Sequence, residues 1–147
     1  MNVYEQATGR WYGGNDILMG AGYAGGDCGN DLAGVNNPAV EDIPNVGPLP
    51  CGWYKIGAPY NHPKCGEFFI PLTPQPGNEM FGRGGFGVHG DLKSSPGACK
   101  ASDGCIILAL GVRQAIAANL AIDDDLKVVS GIEVFPDVDG EISGAGG

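Results

Sequence analysis

The 147 residues leave room for one domain with a single core, and the apolar share of 43% is that of a globular protein. The 27 glycines and 11 prolines indicate many turns and little helix. A net charge of −9 argues against nucleic-acid binding, which needs a basic face, and no apolar run approaches the ~18 residues of a membrane span. The first residues carry neither a basic region nor an apolar stretch, so no secretory signal peptide is predicted.

The N-terminal third of the chain predicts one hairpin and then an irregular segment. Residues 2–12 form the expected hairpin, because short apolar runs flank a turn at residues 7–9. Residues 13–47 are rich in glycine but contain apolar anchors, namely Met19, Tyr23, Leu32 and Val35. We therefore expect an ordered loop that borders a cleft, in which Tyr23 either packs in the core or stacks on a ligand.

The remaining elements are predicted from apolar periodicity and turn residues. Strands are expected at residues 52–57, 67–72 and 126–135, with His62 exposed in a turn between the first two. A helix is expected at residues 110–121, because Val112, Ile116 and Leu120 recur at intervals of four. Residues 1–135 then make one domain, and residues 136–147 a polar, glycine-rich tail.

The most informative stretch, residues 81–108, reads FGRGGFGVHGDLKSSPGACKASDGCIIL. A strand-like segment leads into His89, and Ser102-Asp103-Gly104-Cys105 leads into an apolar run. A histidine and a cysteine held at the ends of two rigid segments are what thiol nucleophilic catalysis requires. Gly104 allows a tight turn, so that main-chain N–H groups at residues 104 and 105 can form an oxyanion hole. Alternatively, Cys105 belongs to a buried core strand and has no chemical role.

The motif resembles the signature of the L,D-transpeptidase (YkuD-type) family: His, a spacer, Ser or Thr, any residue, Gly, Cys and an apolar residue. Gly82-Arg83, residues 86–91 and Arg113 with its apolar helix are similar to the branch that includes type VI secretion effectors attacking peptidoglycan. Residues 36–38 and 47–56 are similar to that branch as well. The sequence departs from many members of the family at Asp103, where they carry a second His, and at Ile107, where they carry Arg or Asn.

This resemblance implies a mainly β, β-sandwich-like catalytic fold with one principal helix after the nucleophile strand. It implies acyl transfer on peptidoglycan stem peptides, with Cys105 as nucleophile, His89 as base, and no metal or organic cofactor. Ser102 then steers His89 or lines the oxyanion pocket, unless it only caps the turn before Gly104.

The same resemblance suggests residues for substrate binding and a setting for the activity. Binding is expected to involve five residues near the dyad: Arg83, Gly90, Asp91, Asp103 and Tyr23. For Arg83 the alternative is that it ties down the turn at residues 82–85. The expected setting is the bacterial periplasm after delivery by a secretion system, with an immunity protein or a secretion-apparatus component as partner, and with neither nucleic acid nor membrane insertion.

The cysteine count predicts disulfides. If Cys105 is the nucleophile, four cysteines remain and permit two bridges in three connectivities. Cys51 with Cys65 is the expected local pair, which leaves Cys28 with Cys99. A zinc site is the weaker rival, because no Cys-x-x-Cys occurs. Disulfides favour work outside a reducing cytoplasm.

Three alternatives for the function stay open at this point. The chain is a phage-encoded lytic enzyme with the same chemistry, or a peptidoglycan-binding module whose dyad is inactive. Buried or oxidised sulfur at Cys105 would favour the inactive module. A papain-like hydrolase is disfavoured, because its cysteine precedes its histidine, whereas here His89 comes first.

Overall fold

The computed structural model describes residues 1–131, which form a mixed β-sheet and one α-helix. Its strands are β1 (Asn2–Glu5), β2 (Arg10–Tyr12), β3 (Leu18–Ala21), β4 (Tyr23–Ala24), β5 (Gly52–Ile56), β6 (Tyr60–His62), β7 (Gly66–Pro74), β8 (Gly87–His89), β9 (Ile106–Ile107) and β10 (Asp125–Val129). The helix α1 spans Leu110–Ala118. Four short 3-10 turns lie between residues 14 and 40. None of the helices in this part of the chain has the length and apolarity to cross a membrane.

The strands follow the order β3-β2-β1-β10-β5-β7-β8-β9-β4, and β6 pairs separately with β7. Two neighbouring pairs are parallel, β1 with β10 and β8 with β9, and the other pairs are antiparallel. Parallel neighbours need a long crossover, and the crossover from β8 to β9 is the loop between His89 and Cys105. The loop thus returns the chain to the sheet directly beside the strand that carries the histidine.

The core lies on one face of this sheet and is filled by large side chains. Tyr4, Trp11 and Tyr54 are fully buried, and their polar groups are partly satisfied: the Trp11 indole N–H donates to Asn2 Oδ1 at 3.2 Å. Tyr54 Oη donates to the Pro50 carbonyl at 2.6 Å. Buried aromatic side chains of this size dominate the hydrophobic stabilisation of a small domain.

The prediction of a mainly β fold with one principal helix after the nucleophile strand is confirmed. The N-terminal hairpin and the strands expected at residues 52–57 and 67–72 are present as β1–β2, β5 and β7. The apolar stripe of α1 is confirmed too, because Ile116 is buried in the core while Val112 and Leu120 pack against it.

Several local predictions were wrong. Residues 13–47 contain two strands, β3 and β4, and Leu32 is 58% exposed, so it does not anchor this segment. His62 ends strand β6 and packs against Phe69 with tilted rings whose centroids are 4.7 Å apart, instead of lying exposed in a turn.

The two predicted C-terminal boundaries also shift. Helix α1 ends at Ala118, because Asn119 leaves the helical backbone (φ −103°, ψ 5°). Strand β10 spans Asp125–Val129, so it begins one residue before the strand expected at residues 126–135 and ends at residue 129. Residues 132–135 and the tail predicted at residues 136–147 lie outside the described residues.

Candidate active site

His89 ends strand β8, and Cys105 directly precedes β9, the parallel strand next to it. His89 pairs with Ile107 across β8 and β9, and Tyr23 pairs with Ile107 from the other side. The side chain of Cys105 belongs to the buried core cluster, together with the fully buried Val88 and Ile106. The pairing of β8 with β9 therefore sets the segment that carries Cys105 beside the strand that carries His89.

The sulfur of Cys105 lies beside the segment that leads into β8. Cys105 Sγ is 3.9 Å from the Gly85 carbonyl oxygen, and the Gly87 N–H donates to the sulfur. The residue is only 5% exposed. This burial raises the pKa of the Cys105 thiol to about 12, although the Gly87 N–H acts in the opposite direction. The thiol is therefore neutral in the resting protein, and a base must remove its proton before or during attack.

The ring of His89 is held in one tautomer. Its Nδ1 lies 3.0 Å from the Gly90 carbonyl oxygen, which only accepts hydrogen bonds. Nδ1 therefore carries the proton, and Nε2 of the neutral ring keeps the lone pair of a base. Burial lowers the pKa of His89, and the positive charge of Arg113 lowers it further, whereas the bond to Gly90 raises it.

Phe69 packs against the His89 ring, and its position explains why residue 87, two positions before His89, is a glycine. The rings of Phe69 and His89 stack with centroids 6.0 Å apart. A Cβ at Gly87 would lie 2.1 Å from the Phe69 ring, so only glycine fits beneath it. Phe69 also contacts Tyr60 and His62, and the four rings form a continuous aromatic cluster that ends at His89.

Ser102 and Gly104 shape the backbone at the nucleophile. Ser102 is fully buried; its Oγ accepts from the N–H groups of Gly25 (2.8 Å) and Gly104 (3.0 Å) and donates to the Cys105 carbonyl (2.6 Å). Of the three roles considered for Ser102, the hydrogen bond from the Gly104 N–H is that of the turn cap. Gly104 has φ +142°, and a Cβ there would meet the Phe86 ring at 2.6 Å. Because the Gly104 N–H already donates to Ser102, it is not open to a substrate oxyanion.

Arg83 and Asp103 lie at the sulfur side of the dyad. The Arg83 guanidinium donates to the main-chain carbonyls of Glu41, Gly47, Pro48 and Asp103 and sits over the Phe86 ring, 5.2 Å from its centroid. It therefore joins the loop at residues 41–48 to the nucleophile turn, and does not hold the turn at residues 82–85. Its part in substrate binding stays a prediction.

Tyr23, Asp91 and Gly90 lie at the histidine side. Tyr23 Oη donates to Asp91 Oδ1 at 2.7 Å and accepts from the Ala101 N–H at 3.0 Å. Asp91 also accepts from the N–H groups of Leu92 and Gly97. These bonds fix both ends of the loop that connects β8 to β9. Tyr23 is 7% exposed, and its role as a ligand-stacking residue stays a prediction, as does that of Asp91.

Two clefts flank the dyad, and we name them by size. The small cleft, about 140 Å³, lies at the sulfur side and is lined by Pro44, Asn45, residues 82–86 and Asp103. The large cleft, about 790 Å³, lies at the histidine side, where its lining includes Tyr23, Glu67, Gly90, Lys93, Ile107 and Arg113. The segment at residues 21–36 borders the large cleft, as expected from the sequence. Within residues 1–131 no group of three His, Cys, Asp or Glu is placed to bind a metal ion.

The disulfide prediction is contradicted. The part of the chain that the structure describes, which includes all five cysteines, contains no disulfide bond. Cys51 Sγ donates to Gln6 Oε1 at 3.2 Å, whereas Cys65 lies at the rim of the large cleft, so these two thiols face different surroundings. Cys28 and Cys99 are unbridged too. The cysteines therefore give no support for work outside the cytoplasm.

Sequence reasoning missed two residues of this region. Phe69 was predicted only as part of a buried strand, and its contact with His89 depends on the pairing of β7 with β8. Arg113 was noted only within the resemblance, yet it is 6% exposed and lines the large cleft. A cation in an apolar helix stripe was the one sequence signal that could have drawn attention to it.

A comparison with models of known protein families shows to which family the chain belongs. The family model of the Tlde1 domain matches residues 24–132, which include His89 and Cys105. The chain belongs to the Tlde1 domain family. Tlde1 domains are found in type VI secretion effectors and are associated with activity against peptidoglycan, so the effector branch expected from the sequence is confirmed. No curated protein and no solved structure matches the chain.

Proposed function

We propose that this Tlde1 domain is a cysteine-dependent acyl transferase that cleaves the bond before the terminal D-Ala of peptidoglycan stem peptides. The observation that carries the proposal is the pairing of β8, which ends at His89, with β9, which Cys105 directly precedes, together with the hydrogen bond from His89 Nδ1 to the Gly90 carbonyl. That hydrogen bond leaves Nε2 as the basic nitrogen of the ring. The finer YkuD-type relationship is part of this proposal.

The reaction begins with proton transfer from a neutral thiol to a neutral imidazole. His89 Nε2 takes the Cys105 proton as the sulfur attacks the carbonyl of the L-centre of diaminopimelate. The tetrahedral oxyanion forms at the nucleophile turn, where the Cys105 N–H is the remaining candidate donor of the two amides expected there. The imidazolium then protonates the leaving amine, D-Ala departs, and a thioester on Cys105 remains.

The thioester can pass to three acceptors. Water gives a trimmed stem and a carboxypeptidase, a free D-amino acid gives exchange, and the amine of another stem gives a cross-link. In each case His89 accepts the proton of the acceptor and returns it to the Cys105 sulfur, so the resting thiol is restored. The proposed setting is the periplasm of a target bacterium, with the chain acting as an antibacterial toxin and an immunity protein as the expected partner.

The proposal is tested by D-Ala release from tetrapeptide muropeptides. Cys105→Ala and His89→Ala should each lower the rate by at least about 10³-fold, because nucleophile and base act as one unit. Cys28→Ala is the matched control, because Cys28 is exposed and lines neither cleft, and it should keep most of the activity. Undiminished release by a folded Cys105→Ala or His89→Ala protein would refute the assignment.

A second candidate function, a peptidoglycan-binding module without catalysis, is favoured by one observation, the 5% exposure of Cys105. Thiol alkylation of the native protein separates the two. Attack on a substrate carbonyl requires that a small reagent also reach the sulfur, so Cys105 should be alkylated within the time of catalytic turnover. Alkylation of Cys105 only on unfolding, together with retained binding to peptidoglycan, would decide for the binding module.

A further inference from the structure

Arg113 is a buried cation on the wall of the large cleft. It is 6% exposed. Its Nε donates to the Leu108 carbonyl, and its Nη1 donates to the carbonyls of Glu67 and Phe68, each at 3.0 Å. These three bonds fix the plane of the guanidinium between α1, β7 and the end of β9. The position of its second terminal nitrogen, Nη2, is therefore fixed as well.

Nη2 of Arg113 has no acceptor among the described residues. Gly90 faces it: a Cβ at Gly90 would lie 2.8 Å from Nη2, so glycine keeps the space in front of this nitrogen open. No ion pair within residues 1–131 involves Arg113: Glu67 accepts from it through its carbonyl, and the Glu67 carboxylate acts on its charge only from beyond ion-pair distance. A buried cation without an anion in direct contact is unfavourable, and an anion bound in the cleft would relieve that cost.

The charges around the cleft leave this anion position unfilled. Asp91 is a carboxylate of the β8–β9 loop that lines the cleft, but its two oxygens already accept from Tyr23, Leu92 and Gly97. Lys93 lines the same cleft and adds a second positive charge. The guanidinium geometry suits a carboxylate, because two parallel N–H groups can meet its two oxygens.

The location fixes which part of a substrate reaches Arg113. Gly90 directly follows His89, so Nη2 lies at the histidine side of the dyad and the sulfur lies at the other. In acyl transfer the imidazole delivers its proton to the leaving amine, so the departing residue must occupy the histidine side. The departing residue is an amino acid, so the amine that His89 protonates and the α-carboxylate are attached to the same α-carbon.

We infer that Arg113 Nη2 binds the α-carboxylate of the D-amino acid that leaves from, or is transferred to, the acyl-enzyme. The inference rests on the proposed function and assigns the leaving-residue subsite to the large cleft. Arg113 then selects substrates with a free C-terminal carboxylate. The cleft is larger than D-Ala requires, so the subsite accepts bulkier D-amino acids in exchange.

The test compares two synthetic tetrapeptides, one ending in D-Ala and one in D-alaninamide. Wild-type protein should process the acid with a kcat/KM about 10- to 100-fold higher, the factor expected for a hydrogen bond to a charged group. In Arg113→Met this preference should fall to about twofold or less, and Arg113→Lys should restore part of it. The preference is a ratio within one protein, so a loss of stability in the variant does not imitate the result. Arg10→Met, on the exposed end of β2, is the control and should keep the wild-type preference.

Two results would overturn the inference separately from the function. If wild-type protein releases D-Ala and alaninamide equally well, the function stands and the carboxylate subsite is wrong. If neither peptide is cleaved, the proposed function fails, and the subsite is judged by calorimetric binding to Cys105→Ala. There the acid should bind at least about tenfold more tightly than the amide; equal binding refutes the subsite.

Discussion

The small and large clefts are each bounded by a buried or half-buried arginine, but the two guanidinium groups are used differently. Both terminal nitrogens of Arg83 donate to main-chain carbonyls, which join the loop at residues 41–48 to the nucleophile turn. Arg113 uses Nε and Nη1 in the same way but keeps Nη2 toward the cleft. The comparison shows that residue type alone does not identify an arginine as a ligand-binding residue. What matters is whether any of its N–H donors remains without an acceptor in the folded protein.

The largest expected effect of this difference is on stability at the small cleft. Arg83→Met removes three partly buried hydrogen bonds and one exposed hydrogen bond to main-chain carbonyls, and it should lower the free energy of unfolding by about 2–4 kcal/mol. Chemical denaturation measures this loss. The acid-to-amide preference should stay at the wild-type value, because the small cleft lies at the sulfur side. A normal melting temperature with a raised KM would instead restore the substrate-binding role predicted for Arg83 from the sequence.

A smaller effect is expected from loosening the loop that borders the large cleft. Tyr23→Phe removes the hydroxyl that joins Asp91 to the Ala101 N–H and should cost about 1–2 kcal/mol. Because this loop lines the large cleft, limited proteolysis at residues 92–100 should accelerate and KM should rise more than kcat falls. Tyr60→Phe is the matched control, since Tyr60 is 48% exposed. Unchanged proteolysis in Tyr23→Phe would show that the loop is held by other contacts.

The smallest expected effect concerns pH. The pKa of His89 is lowered by burial, so the unfolded chain binds a proton there more readily than the native protein. The stability due to a neutral His89 is therefore complete above its ordinary pKa and is lost as pH falls below that value. His89→Gln should flatten this slope in urea titrations between about pH 5 and 7. A slope as steep as that of the wild type would assign the pH dependence to other groups.

The activity profile should follow the same two groups. With His89 neutral and the Cys105 thiol pKa raised to about 12, kcat/KM should rise as His89 loses its proton and then stay level through pH 9. A resting thiolate–imidazolium pair predicts a different curve, because activity then falls when the imidazolium is deprotonated. A bell-shaped profile with its maximum below pH 7 would contradict the neutral pair.

The parts of the site that were predictable from sequence are those held by local structure. His89 and Cys105 each lie next to a glycine at the end or start of a strand. Residue 104 has a φ of +142°, which residues other than glycine rarely adopt, so the glycine in the sequence indicates this local backbone geometry. The mainly β fold was equally visible in short apolar runs separated by turn residues.

The parts that escaped prediction depend on contacts between distant segments. Ser102 caps Gly25, 77 positions away, and Tyr23 bonds Asp91 at a separation of 68. The role of Arg113 depends on how α1 packs against β7. The spacing of apolar residues along α1 predicts the helix but not the strand against which it packs. The disulfide prediction failed for the same reason, since cysteine count says nothing about which thiols come into range.

The central claim is that Cys105 forms a thioester with the stem peptide while His89 moves the proton. Intact-protein mass spectrometry after rapid mixing with a tetrapeptide tests it most directly. The wild-type protein should gain the mass of the tripeptide acyl group, mapped to Cys105, as D-Ala is released. Cys105→Ala should show neither the adduct nor the release. D-Ala release by Cys105→Ala, or an acyl group mapped to another residue, would contradict the account.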